Sequence, residues 1–349
     1  MNLVVLGAGS WGTTIASLVA ARTTTTLWSR SEAVAAEIRD RRTNAFYLGD
    51  LRLPDQLRAT SSLEDALREA EFVVIALPSH GVRTVLSAAA GSVPAGVPVL
   101  SLSKGLEQET MARISQIVEE CWPGHAVGVL TGPNLAAEVC GGQPTASVIA
   151  FTDESLAVEV RDLFATETLR LYTNPDLIGC EIAGAVKNVL AIASGMSIGL
   201  GFGDNTRAAL VTRSLAELTR LGVALGGEPP TFAGLAGLGD LVATCTSPKS
   251  RNFAVGVALG QGQSLQHVVG RTRMVAEGVK TCRPVVDLAR RLGVEVPVAE
   301  QVVAVCYGNR PPSEAIPLLM RRAPRSEVED LVNLGDKARR GTRGEWQVP

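Results

Sequence analysis

The sequence predicts an α/β protein: a doubly wound parallel sheet with helices on both faces, followed by an all-α C-terminal domain. Three observations predict it. A glycine-rich turn of the form G-x-G-x-x-G (Gly7, Gly9, Gly12) follows an apolar run at the start of the chain. From Asn2 to about Tyr172, short β-rich runs alternate with longer helical patterns. After Asn174 and Pro175 those runs stop, and Ala, Leu, Val and Gly recur at helical spacing. With 349 residues, 46% of them hydrophobic and 19% charged, the chain exceeds what one core usually holds, so two domains are expected, 1–175 and 176–345.

The clearest strands are Asn2 to Leu6, Phe72 to Ala76, Val97 to Ser101, Ala126 to Leu130 and Ala146 to Ala150. Such runs, separated by helices, suit a parallel sheet covered on both faces. A second strand ends near Leu27 and Trp28. Ser61, three residues before Glu64, reads as a capping box opening the helix ahead of the Phe72 strand. In the second half, Arg207 to Leu221 carries Val211, Leu215, Leu218 and Leu221 on one stripe, with Arg213, Glu217 and Arg220 elsewhere on the wheel. Further helices run from Glu277 to Leu292 and from Val298 to Tyr307, closed by Gly293 and Gly308. The Arg-rich stretch from Arg321 to Pro349 reads as a short helix and a frayed tail.

Charge and cysteine usage exclude several classes. The 33 basic and 35 acidic residues leave a net charge of -2, which gives no global attraction to nucleic acid or anionic membrane. Six scattered cysteines without a C-x-x-C pair point to reduced packing residues rather than disulfides or a metal site. The apolar start lacks a basic leader and reaches Gly7 too soon for a signal peptide, so it reads as a first strand. Even Val189 to Leu200 is broken by Ser and Gly, short of the ~18 apolar residues that span a bilayer. A soluble, cytoplasmic protein is expected.

The glycine pattern carries chemistry because of where it stands. Directly after a strand and before a helical run from Trp11 to Ala21, it matches a Rossmann-type dinucleotide turn. The first glycine makes the tight turn, the second admits the pyrophosphate, and the third lets helix and strand pack, with the helix N-terminus facing the phosphates. An ordinary strand-to-helix turn is the plainer alternative. Beyond Trp28 the chain reads Ser29, Arg30, Ser31 where NAD-selective enzymes often place an acid. Arg30 can pair with a 2′-phosphate, so NADP as well as NAD is expected; otherwise it is a solvated surface arginine.

Hydride transfer to a ketone needs a proton donor. His80, His125 and His267 have no evident carboxylate partner in sequence and read more simply as exposed or capping residues. Lys187 stands out in the nearly apolar helix from Glu181 to Met196, followed by Asn188. A lysine there must snorkel to water or face a polar cavity, and desolvation of an ammonium favours acid–base work. A second polar cluster runs from Gly234 to Asn252. Ser250, Arg251 and Asn252 offer donors for a phosphate, and Asp240 is either an acceptor for substrate hydroxyls or a turn residue.

Ten segments in order carry a resemblance: GAGSWG (7–12), LPSH (77–80), SKGLE (103–107), GPNLAAE (132–138), YTNPDLIG (172–179), GAVKNVLAI (184–192), GFGDN (201–205), AGLGDLVATCTS (236–247), SRN (250–252) and VAEGVKT (275–281). From Met1 to about Gly308 the chain resembles the bacterial NAD(P)-dependent glycerol-3-phosphate dehydrogenases. The resemblance implies a helical domain like the C-terminal domain of 6-phosphogluconate dehydrogenase. It also implies reversible reduction of dihydroxyacetone phosphate to sn-glycerol 3-phosphate for phospholipid synthesis; the sequence leaves the oligomeric state open, a homodimer included.

It makes Lys187 the general acid and places Asn188, Asp240 and Thr244 on the substrate, with Lys104 close to both ligands. Gly132 and Asn134 match substrate contacts, and Ser250, Arg251 and Asn252 match the phosphate turn. Gly7, Gly9, Ser10, Trp11, Gly12, Arg30, Lys104, Ala136, Arg251, Val275 and Glu277 fall on cofactor contacts. Two departures stand out: Ala21 to Thr26 is a threonine run where the family has an Asn-Gly or Gly-His turn, and Asn134 replaces a frequent Ser or Thr. The rival readings are another two-domain dehydrogenase of the β-hydroxyacid or ketopantoate reductase type, and a non-catalytic dinucleotide sensor.

Overall fold

In the computed structural model, the described residues are 1–271 and 276–321; Val275 and the Arg-rich tail lie outside them. The apolar runs become strands β1 (Asn2–Leu6), β2 (Thr24–Trp28), β3 (Arg58–Thr60), β4 (Phe72–Ile75), β5 (Val99–Ser101), β6 (Val127–Thr131), β7 (Thr145–Phe151) and β8 (Leu169–Asn174). They form one sheet in the order β3-β2-β1-β4-β5-β6-β7-β8. Strand order reverses between β1 and β4, and in open α/β sheets the crevice at that reversal is where ligands bind. Leu6 lies opposite Trp28 on one side and Ile75 on the other, so the turns after β1, β2 and β4 leave the same edge.

The sheet is not parallel throughout. β7 runs antiparallel to β6, and β8 is parallel to β7. A parallel return needs a helix crossing the sheet. Here the connection holds only the five-residue helix Ala136–Cys140, which packs on the glycine-loop helix Ser10–Val19, where the Thr14 hydroxyl donates to Ala136 O (3.4 Å). Two strands were not among those expected from sequence. β3 is only Arg-Ala-Thr, whereas β8 carries a readable alternation of buried Leu169 and Leu171 with exposed Arg170 and Tyr172. The helix before β4 is capped by Ser62, not Ser61: the Ser62 hydroxyl accepts from Asp65 N (3.2 Å), while Ser61 donates to Glu32.

The second half is built round the helix Leu177–Gly199, buried from Gly179 to Ser197 because helices cover it on every side. A helix apolar all round requires that cover. Asp176 caps it, accepting from Gly179 N (2.7 Å) and Glu228 N (2.8 Å). By length and composition alone this 23-residue helix, with a mean hydropathy of 1.5, is apolar enough to cross a membrane, but 89% of its apolar window is buried inside the protein, as in a core helix.

Glycines set its closest neighbour. A Cβ on Gly195 would come within 2.1 Å of Phe253 O, and one on Gly256 within 2.1 Å of Ile192 O. The helix Arg251–Gly260 therefore lies backbone to backbone against it, which fixes where Arg251 starts. Gly256→Ala is expected to lower stability by roughly 1–3 kcal/mol through overpacking, read as the midpoint of thermal unfolding; an unchanged midpoint would show that the two helices can separate freely.

Glu217 departs from the amphipathic reading of its helix, Asp204–Ala224. It is buried and accepts from Val298 N (2.7 Å) and Ala299 N (3.3 Å), so it serves as the N-terminal cap of the helix Pro297–Tyr307. Burial pushes its carboxyl up to about 8 against the pull of those two N–H groups. Gly293 closes its helix with φ +65°, as expected, but Gly308 sits at φ -108° and needs no glycine freedom.

Candidate active site

The chain leaves β1 into Gly7, whose φ of +119° and contact with Ala76 O exclude a side chain. Gly12 touches Gly7 O in the same way, while a Cβ on Gly9 would meet nothing within 4 Å. The open space therefore lies at the middle glycine. It faces the first turn of the helix Ser10–Val19, whose N-cap Gly9 offers no side chain to satisfy the free N–H groups. Trp11 Nε1 is buried without a partner among the described residues, and the Ser10 hydroxyl donates to Tyr47 O (3.4 Å). These features fit a dinucleotide pyrophosphate. Ala136 opens the neighbouring helix against this loop, and Arg30 stands exposed beyond β2.

Lys187 takes the second of its two sequence options, the polar cavity. Its side chain is 7% exposed, and Nζ donates to Asp240 Oδ1 (2.7 Å) and Thr244 Oγ1 (2.7 Å). Asp240 and Thr244 share one face of the helix Asp240–Thr246, four residues apart. Lys104, three residues past β5, reaches the other carboxylate oxygen, Asp240 Oδ2 (2.9 Å), and also Asn134 Oδ1 (2.6 Å) and Gly132 O (3.0 Å). One carboxylate thus faces two ammonium groups, leaving excess positive charge in a buried place. A buried charge needs a partner, so the site suits an anion.

The electrostatics follow from that crowding. Burial pulls Lys104 down to about 8, with Lys187 adding to the fall and Asp240 opposing it. Burial alone would raise Asp240, but Lys104 and Lys187 hold its carboxyl below the ordinary value. Two buried donors nearby have no partner among the described residues: Asn134 Nδ2 and Thr131 Oγ1. Thr131 carried no role in the sequence reading; it ends β6 beside Gly184, whose Cβ would lie 3.0 Å from its hydroxyl.

Asn188 and Asn252 support the site from behind. Asn188 Nδ2 donates to Lys104 O (2.9 Å), and its Oδ1 accepts from Asn252 Nδ2 (2.9 Å). Asn252 Oδ1 accepts from Gly278 N (2.9 Å). Ser250 also turns inward, capping its helix through Phe253 N (3.3 Å). Of the expected phosphate donors, Arg251 opens its helix as an exposed residue, yet the atoms packed round its guanidinium hold it below its ordinary value against the pull of Glu277 and Tyr47. Glu277 begins another helix and accepts from Ser79 Oγ (2.6 Å) and Ser79 N (3.3 Å), joining the turn after β4 to the helical domain. Ser79 lies in the LPSH segment and could have been singled out only from that motif. Val275 lies outside the described residues.

His125 Nδ1 pairs with Val97 O (2.7 Å), and His267 lies within the helix Leu265–Arg271 rather than a turn.

Comparison with known proteins shows the family of the whole chain. Residues 2–157 match the family model for the N-terminus of NAD-dependent glycerol-3-phosphate dehydrogenase, and residues 176–317 match that for its C-terminus. A glycerol-3-phosphate dehydrogenase [NAD(P)+] of Mycobacterium avium is 48% identical over 328 residues, 94% of this chain and 96% of that one. The crystal structure of glycerol-3-phosphate dehydrogenase from Coxiella burnetii superposes with a TM-score of 0.89 at 34% identity, covering 92% of this chain and 99% of its own. A ketopantoate reductase from Ralstonia eutropha, at 16% identity and a TM-score of 0.59, shares the fold alone. The chain belongs to the NAD(P)-dependent glycerol-3-phosphate dehydrogenase family.

Proposed function

We propose that Lys187 is the general acid with which this glycerol-3-phosphate dehydrogenase reduces dihydroxyacetone phosphate, and the base in the reverse reaction. The observation that carries the reading is the buried Lys187–Asp240–Lys104 cluster. Bound nicotinamide would supply the hydride to carbon 2. Lys187 Nζ, steered by Asp240 and Thr244, gives its proton to the oxygen as negative charge grows there. Lys104 and the free Asn134 amide hold the substrate oxygens, and the Arg251 guanidinium takes the phosphate.

The same reading divides the chain at 175/176, supported by the Asp176 cap and by large hydrophobic clusters that lie almost wholly on one side or the other, with Leu106 and the small cluster of Val129, Val148, Ala150, Cys180 and Ala236 joining the two halves. The cofactor loop and the phosphate turn then come from different domains, so closing the cleft excludes water and aligns the reacting centres. A cytoplasmic location and a role in phospholipid synthesis belong to this proposal, with a homodimer as its natural assembly.

The test is oxidation of NADPH and NADH by the purified chain with dihydroxyacetone phosphate, dihydroxyacetone or ketopantoate. Turnover is expected with the phosphorylated ketone; equal or faster turnover with ketopantoate would overturn the assignment.

The pH dependence follows from Lys104. A lysine pushed down to about 8 is neutral above that value, so its pull on a substrate anion is present below it and lost as pH rises through it. The kcat/KM for reduction is therefore expected to fall above about pH 8, since kcat/KM reports groups of the free enzyme. A profile flat through the alkaline range contradicts this.

A further inference from the structure

Ala21 to Thr24, the first part of the threonine run in which this chain departs from the family's turn, line a cavity of about 770 Å³. That volume lies within the roughly 300–1,000 Å³ of small-molecule sites. Thr24 and Arg58 begin β2 and β3, so the cavity opens at the amino edge of the sheet. The glycine loop follows Leu6 at the carboxyl edge, where dinucleotides bind. The five residues of β2 hold the two edges about 13 Å apart. Nothing that lines this cavity takes part in the chemistry above.

Four arginines line it, Arg22, Arg39, Arg42 and Arg58, against one acid, Asp55. Arg39 is matched by Glu32 (3.2 Å) and Asp40 (3.4 Å). Asp55 is divided between Arg42 (4.0 Å) and Arg52 (3.1 Å). Arg42 is also anchored, its Nη1 donating to Leu57 O (2.6 Å). Arg22 Nη1 donates to Ala165 O (2.6 Å), a carbonyl that leaves its charge unmatched. No carboxylate among the described residues pairs with Arg22 or Arg58. Beside these cations the lining turns apolar, with Leu57 and Ala59 both buried.

We infer that this cavity is a second ligand site, specific for an organic phosphate monoester of about nucleotide size and separate from the sites for substrate and dinucleotide. A phosphate monoester carries roughly -1.5 to -2 charges, which the two unmatched guanidiniums balance. Arginine suits that role because its planar fork meets phosphate oxygens two at a time. A bare inorganic anion would leave most of the volume and its apolar part unfilled, so the ligand carries an organic body as well.

The experiment is calorimetric titration of adenosine 5′-monophosphate, and separately of adenosine, into the whole chain saturated with NADPH and glycerol 3-phosphate. Those two do not react with each other, and together they keep the probe out of the active site. One equivalent of the monophosphate is expected to bind, at least tenfold tighter than adenosine. Arg58→Ala and Arg22→Ala are each expected to weaken it about tenfold, the loss of one hydrogen bond between charged groups. Arg58 is exposed and holds no carboxylate, so its removal leaves the fold intact, and Arg58→Lys, which keeps the charge, restores part of the binding. Absence of binding, equal binding of adenosine, or binding that neither alanine variant weakens overturns the inference.

Discussion

Lys187→Ala is expected to lower the turnover of dihydroxyacetone phosphate by roughly 10²- to 10⁴-fold, the range for loss of a general acid. Binding of NADPH is expected to survive, because Lys187 meets Asp240 and Thr244 rather than the glycine loop. The fold is expected to survive as well. Asp240 keeps Lys104 as a partner, so no buried charge is left alone. Single-turnover kinetics with a nucleotide titration of the same preparation separate the two effects. Lost NADPH binding would mean that the substitution had disturbed the cleft as a whole.

Asp240→Asn is expected to damage both stability and activity. Asp240 is the carboxylate shared by Lys187 and Lys104, both largely buried. Removing its charge leaves two ammonium groups facing each other without compensation, and breaking a buried pair in this way costs roughly 3–5 kcal/mol. The loss is expected to be greatest near neutral pH and to shrink as pH rises past about 8, where Lys104 sheds its proton. Turnover is expected to fall by about 10²-fold or more, because Nζ of Lys187 loses the partner that aims it. Denaturant unfolding at two pH values, alongside the assay, checks both. A variant as stable as the parent at neutral pH would show that the Asp240 charge is not needed to hold the two buried lysines.

Features set by contiguous residues were legible in the sequence. The glycine turn could be read because Gly7, Gly9 and Gly12 lie within six residues, and each has a separate steric or electrostatic reason. Lys187 could be singled out because a lysine inside an apolar helix must be accounted for, but sequence alone left it either snorkelling or facing a cavity. The contact with Asp240 that decides between them spans 53 residues. For the same reason Glu217 could be placed only off the apolar stripe of its helix: its partners, Val298 N and Ala299 N, lie more than 80 positions away.

Direction and depth were harder to read than periodicity. β7 has the composition of a parallel strand, and only the packing of the short Ala136–Cys140 helix shows that the chain turns back. Asn252 and Ser250 read as phosphate donors by type, yet much of their bonding is spent on Asn188, Gly278 and Phe253. Local chemistry names a candidate donor, while tertiary packing decides how many of its bonds remain free.

The most direct measurement of the central claim is rescue of Lys187→Ala by small primary alkylammonium ions during reduction of dihydroxyacetone phosphate. If Lys187 supplies the proton, turnover rises with the concentration of the protonated amine and falls once pH exceeds the pKa of the added amine. A Lys187→Ala variant that turns over as fast as the parent with no amine present would contradict the account.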